Sequence, residues 1–203
     1  MLKMKSSNIY KEKFNKYGNS PQSLLWKNRG AAHQRFRQFW AEVDFTGKKV
    51  LDIGCGFGEF GKFLLKRYEN VDYTGIDTVS EFIEIAKKEV PSGKFYVENF
   101  NNLNDQYDVV IASGVLNSNM EGQNLEYRKK AIAKMFSLTN NVLAFNMLGG
   151  HPAPINAKTS NIYYSDSLEI LEYCMSLTRR VILRHHYNPK DFTIFLYKIK
   201  KEI

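Results

Sequence analysis

Lys49-Val50-Leu51-Asp52-Ile53-Gly54-Cys55-Gly56-Phe57-Gly58 is the stretch whose reading decides the fold. Residues 49–53 have the apolar run of a short buried strand, and three alternating glycines cut it off. Residues 59–68 then take up the spacing of an amphipathic helix. Glycines between a strand and a helix let the backbone turn tightly and approach a ligand with no Cβ in the way. With no ligand to receive, they would only cost backbone entropy. Outward from this unit the pattern repeats: strand 71–77, helix 79–90, a breaker at Pro91-Ser92-Gly93, strand 94–98. Strand 107–113, helix 124–137 and strand 141–147 follow, then a turn-rich loop over 148–160, helix 165–177 and strands 180–184 and 193–198. Strands alternating with helices imply parallel βαβ units. The last two strands are joined only by 185–192, too short for a crossover helix, so they must pair antiparallel. The expected fold class is α/β: a doubly wound, mostly parallel seven-stranded sheet with a terminal antiparallel hairpin and helices on both faces.

Upstream, residues 1–20 have no clear period and read as loose chain or a short helix. From Ser20-Pro21 the residues Leu24, Leu25, Ala31, Ala32, Phe36, Phe39 and Trp40 follow helical spacing, with Ser20 as the expected cap. The chain has 203 residues, 43% hydrophobic and 14% aromatic, enough for a substantial core and too short for two comfortable domains. No apolar run approaches the ~18–20 residues that cross a bilayer, and the basic start has no apolar stretch behind it. Cys55 and Cys174 make neither a disulfide framework nor a metal site, so a cytoplasmic location fits. The net charge of +8 is carried by residues 1–49, where eleven Lys and Arg face three acids; the remainder is balanced. That arm is either a solvated, solubilising surface or an attraction for a phosphorylated or nucleotide-linked partner.

Gly56-Phe57-Gly58-Glu59-Phe60-Gly61 also satisfies the G-x-G-x-x-G dinucleotide fingerprint, which alone is a weak signal. Asp52, at the strand end, would repel a pyrophosphate but suits a ligand carrying an ammonium and a sulfonium. The stretch resembles the first motif of class I S-adenosylmethionine-dependent methyltransferases, of small-molecule type, and the later motifs follow in order over 46–198. On that resemblance Asp52, Gly54, Gly56 and Gly58 contact the cofactor, 46–203 is the S-adenosylmethionine-binding methyltransferase domain, and 1–45 is a basic extension and helical lid. Asp77, nineteen residues after Gly58, would accept both ribose hydroxyls, with Thr78 beside it, or would cap the next helix. Asn99 and Phe100 resemble the segment flanking the adenine, or are a loop Asn and a core Phe, and Ser113 ends the strand that on the resemblance faces the transferring methyl. Arg29 would meet the methionine carboxylate, with Trp26 and Gln34 closing from above.

At Ser113-Gly114-Val115-Leu116 the chain lacks the Asn/Asp-Pro-Pro-aromatic turn of enzymes that methylate base amino groups, and no Cys follows for covalent C5 chemistry. A nucleic-acid acceptor is therefore disfavoured and a small molecule expected, with a sugar or nucleotide-linked sugar as the first candidate. In the loop after the fifth strand, His151 is the expected base because imidazole titrates near neutrality, and Asn146 is an orienting amide; both are read as catalytic. His33 is a second candidate base. His185 and His186 lack a third ligand, so no metal site is expected. Tyr163 and Tyr164 line the pocket or pack. The competing readings are an RNA or protein methylase drawn by the basic arm, a non-catalytic cofactor-binding subunit, and a nicotinamide-dependent oxidoreductase. Oligomeric state is not legible.

Overall fold

The computed structural model describes residues 2–26, 28–156 and 160–199, without the side chains of 2–8 and of Arg29. The chain forms two compact units, residues 1–102 and 103–203. In the first, β1 (Lys49–Ile53), β2 (Asp72–Asp77) and β3 (Lys94–Val97) run parallel in the order β3-β2-β1. The helices α1 (Leu2–Tyr17), α2 (Arg29–Trp40), α3 (Glu59–Leu65) and α4 (Ser80–Glu89) belong to this unit. Four of the five β1 residues are buried, as the apolar run demands, whereas only Phe95 is buried in β3. Phe36, Phe39, Phe45, Phe60 and Phe63 are all buried, and the rings of Phe36 and Phe60 lie 5.2 Å apart.

In the second unit β4 (Tyr107–Ser113) runs parallel to β5 (Thr139–Gly150), and β5 pairs antiparallel with β8 (Asp191–Tyr197). β8 in turn pairs antiparallel with β7 (Val181–Arg184), giving the order β4-β5-β8-β7. The two-residue β6 (Ser165–Asp166) adds to the far end of β5; α5 (Asn124–Ser137) and α6 (Ser167–Leu177) complete the unit. Besides β6, the described residues thus hold the seven expected strands, mostly parallel and ending in an antiparallel hairpin. No helix is long and apolar enough to cross a membrane.

Three local expectations need correction. The helix expected from Ser20 starts instead at Asn28, whose side chain accepts from Ala31 N (2.9 Å); only a 3-10 turn, Pro21–Leu24, precedes it. Leu25, at φ 57°, breaks the path between them, and Ser20 makes no capping bond. β5 runs three residues past the expected 147, because Leu148 pairs with Asp191 of β8 and Gly149–Gly150 pair with β6. Residues 1–20, expected loose or briefly helical, hold the 16-residue α1.

Candidate functional site

The glycine turn leaves β1 in the left-handed region at Gly54 (φ 69°), Gly56 (54°) and Gly58 (78°), where side chains with a Cβ are strained. Four of its amides are spent inside the protein. Gly54 N and Cys55 N donate to Ile76 O (2.8 and 3.0 Å), Gly56 N to Asp77 Oδ2 (3.0 Å) and Gly58 N to Cys55 O (2.9 Å). A pyrophosphate cradle needs such N–H groups free. The third glycine of the apparent fingerprint has a packing reason: a Cβ on Gly61 would meet the Tyr73 ring at 2.7 Å. Both observations speak against a dinucleotide.

Asp52 lies beneath the turn, 2% exposed, and accepts from Tyr73 Oη at 2.6 Å. Burial pushes its carboxyl up to about 7 against the pull of the Tyr73 hydrogen bond, and the Asp77 charge adds to the rise. Because the folded value lies above the unfolded one of 3.8, the folded protein holds this proton more tightly. The stabilisation is complete below about pH 4 and is lost as pH rises towards 7, amounting to about 4 kcal/mol over that window. Asp52→Asn should remove this slope. Denaturant melts from pH 4 to 8 check it: the stability difference between wild type and variant should change with pH, and a constant difference contradicts the assignment.

Asp77 ends β2 with both carboxylate oxygens engaged, Oδ2 by Gly56 N and Oδ1 by Val79 N at 3.0 Å. It pins the turn and holds Val79, the N-cap position of α4, but no side chain caps that helix, so the capping alternative is not borne out. Burial pushes its carboxyl up, outweighing the amides of Val79, Gly56 and Thr78. The residue as a whole is half-buried, and each carboxylate oxygen keeps a lone pair for a hydroxyl donor. Thr78 is exposed beside it. At the carboxyl end of β3, Asn99 Oδ1 accepts from Asn101 N (3.0 Å) and Asn101 Nδ2 (2.7 Å), and half-buried Phe100 opens a 3-10 turn.

The N-terminal segment packs on this turn. Leu24 and Phe57 share a cluster with Val79 and Phe82, joined by Tyr10, Phe14 and Trp26. A Cβ on Gly56 would come within 3.0 Å of Leu24 Cδ2. Trp26 therefore packs against the cluster that holds Phe57 of the turn. The Arg29 side chain lies outside the described residues. His33 packs against Phe36 and Phe63, each ring centroid 5.8 Å away.

In the second unit, Asn146 is fully buried and in register with Ser113. Its Oδ1 accepts from Gly114 N (2.9 Å) and its Nδ2 donates to Ser113 Oγ (3.2 Å), so it fastens the end of β4. His151 follows β5, and its Nδ1 stands 3.0 Å from Asp166 Oδ2. The sequence reading missed Asp166, although Asp166-Ser167-Leu168-Glu169 carries a helix-start signature. It also missed Arg128, which is fully buried. Arg128 donates to Asn124 O (2.8 Å), Asn124 Oδ1 (3.0 Å) and Ser118 O (3.0 Å) and stacks on Tyr163 at 4.6 Å. Burial lowers its guanidinium to about 10. It ties the segment after β4 to the 160–164 segment, where Ser118 also bridges Ile162. Nothing in a polar helix start marks such an arginine.

A family model described as a methyltransferase domain matches residues 25–120. Rv1506c of Mycobacterium tuberculosis, named as a methyltransferase, is 26% identical over 73% of this chain and 92% of its own length. The malonyl-[acyl-carrier protein] O-methyltransferase of Priestia megaterium is 26% identical, but the match spans 54% of this chain and 42% of that protein. Among solved structures, the DhpI complex with S-adenosylhomocysteine is similar at a TM-score of 0.68 and 14% identity, covering 96% of this chain and 95% of that one. Magnesium protoporphyrin IX methyltransferase from Synechocystis, with the same bound product, reaches 0.63 at 16% identity, covering 83% and 84%. The turn that spends its amides inward, the acidic ends of β1 and β2, and these likenesses agree: the chain shares the fold of class I S-adenosylmethionine-dependent methyltransferases and is similar to them.

Proposed function

We propose that this enzyme methylates an oxygen or nitrogen of a small molecule in the cytoplasm, with a hydroxyl of a sugar or nucleotide-linked sugar as the leading acceptor. The observation that carries the reading is His151 at the carboxyl end of β5, its Nδ1 turned to Asp166. A neutral hydroxyl is a poor nucleophile, and a base able to take its proton supplies roughly 10²–10⁴-fold. His151 fills that role, and Asn146 orients the end of β4 through Ser113 and Gly114. The basic excess in residues 1–49 supports a phosphorylated or nucleotide-linked acceptor.

On the cofactor side, Gly54, Gly56 and Gly58 would let the methionine portion lie against the backbone, and Asp52 would complement its positive charge from below. Asp77 would accept the ribose hydroxyls with Thr78 beside it; Asn99 and Phe100 would flank the adenine, and Ser113 the methyl-bearing end. Arg29 would meet the methionine carboxylate, and residues 1–45 would act as the lid over 46–203. The bound cofactor supplies an electrophilic methyl group; the protein supplies alignment, exclusion of water and proton removal.

A second reading, methylation of a carboxyl group, is favoured by relatives named as malonyl and fatty-acid O-methyltransferases. A carboxylate is already ionised and needs no base, so one variant separates the two. His151→Gln is expected to slow hydroxyl methylation about 100-fold or more while leaving cofactor affinity unchanged. The test uses S-adenosylmethionine labelled in the methyl group, offered with nucleotide sugars, free sugars, organic acids and total tRNA. Label in the sugar pool, lost in His151→Gln, supports the proposal. Label in organic acids that survives the substitution favours the second reading, and label in RNA overturns both.

A further inference from the structure

Asp166 stands where β6 hands over to α6, in register with Gly150 and therefore next to His151. Its Oδ1 accepts from Leu168 N (2.9 Å) and Glu169 N (3.3 Å), which caps α6, while His151 Nδ1 lies 3.0 Å from Oδ2 and 3.2 Å from Oδ1. Burial raises its carboxyl, but the His151 contact and the two helix amides outweigh it and hold Asp166 below the usual carboxylate range. An ionised carboxylate has no proton to share, so the hydrogen between Oδ2 and Nδ1 belongs to the imidazole. Both partners are held by backbone. The cap fixes the carboxylate, and the Gly149–Ser165 pairing is so close that a Cβ on Gly149 would collide with the Ser165 carbonyl oxygen.

We propose that Asp166 is the positioning residue for His151: it holds the imidazole as the Nδ1–H tautomer, leaving the Nε2 lone pair bare to accept the acceptor's proton. The proposal rests on the reading of His151 as the base. The tautomer is set by what the other ring nitrogen meets, and the sharing of one carboxylate between a helix cap and an imidazole makes that setting rigid. The balance of the step is simple: Nε2 gains the hydroxyl proton, the ring becomes imidazolium, and Asp166 stabilises that charge without taking a proton itself.

The capping role offers a clean test. Asp166→Asn keeps an oxygen for Leu168 N and Glu169 N, and Asn caps helices as well as Asp. Its amide hydrogens, however, take the place of Oδ2 before Nδ1, and the remaining oxygen, 3.2 Å from Nδ1, is neutral and already shared by Leu168 N and Glu169 N, so Nδ1–H loses its charged acceptor and the balance moves to Nε2–H. Long-range proton–nitrogen spectra of protein labelled with 15N-histidine report which ring nitrogen carries the proton, and His151→Gln assigns the signal. The wild type should show Nδ1–H in the neutral ring, and Asp166→Asn should show Nε2–H with helix content unchanged. Should Asp166→Asn fail to fold, Asp166→Ser keeps a cap and should likewise lose the Nδ1–H signature. An Nε2–H wild type, or Nδ1–H persisting in the variants, overturns the proposal. These spectra need no acceptor, so their failure is distinct from failure of the base reading, which a wild-type methylation rate in His151→Gln would sink. With the acceptor in hand, Asp166→Asn should lose about 100-fold in rate with cofactor affinity intact.

Discussion

Asp77→Ala is expected to weaken S-adenosylmethionine binding about 100-fold or more. Two contributions add. A carboxylate that accepts hydroxyl donors makes charge-assisted bonds of about 1.5–3 kcal/mol each, and 1.4 kcal/mol is a factor of ten in affinity. The same carboxylate holds Gly56 N and Val79 N, so its removal also releases the turn and the start of α4. Asp77→Asn keeps the volume and one acceptor oxygen and should fall between the two. Calorimetric titration of the three proteins with S-adenosylmethionine and S-adenosylhomocysteine checks this, alongside thermal melts that separate lost affinity from lost fold. An Asp77→Ala affinity within three-fold of wild type, in a folded variant, would contradict the assignment of Asp77 to the ribose.

Gly149→Ala should cost the fold more than any other single methyl group discussed. Gly149 has φ 154°, a region that L side chains rarely adopt, and its added Cβ would collide with the Ser165 carbonyl oxygen and lie 2.9 Å from Ser165 C and N. These are backbone atoms held in the β5–β6 pairing, so they cannot swing aside. A loss of about 3 kcal/mol or more follows from strain and overpacking together, which in a chain of this size lowers the melting temperature by roughly 6–12 °C. Gly150→Ala is the control. Its Cβ would meet His185 Cε1 at 3.1 Å and Pro189 O at 3.2 Å, contacts that a small ring movement eases in part. Thermal melts of both variants decide it; equal and small shifts would contradict the account.

The glycine turn was legible because its residues are contiguous: three glycines between an apolar run and an amphipathic one leave few alternatives. The terminal hairpin was legible for a similar reason, since 185–192 is too short to cross over. What failed to show was set by distant partners. The apolar spacing of Leu24 and Leu25 runs on into α2, yet Leu24 faces the glycine turn through a break at Leu25, and Asn28 is the true cap. Gly149 and Gly150 read as the start of a loop, because the strands that extend β5 across them lie 16 and more residues onward. Of the candidate site, Asp77 holds Gly56 of the turn that follows Asp52, and Asn146 meets Ser113. Asp166 and Arg128 were missed because their partners are not visible in local spacing: Asp166 meets His151 fifteen residues away, and the Arg128 guanidinium is covered by Tyr163.

The most direct test of the central claim, that the turn over 54–58 and the Asp77 carboxylate receive the adenosyl sulfonium, is an amide NMR titration of the whole chain with S-adenosylhomocysteine. The account predicts that the signals of Gly54, Gly56, Gly58, Asp77, Thr78, Asn99 and Phe100 move to saturation, and that NADH moves none of them. Signals of the turn that stay fixed at saturating S-adenosylhomocysteine, or that follow NADH equally well, would contradict it.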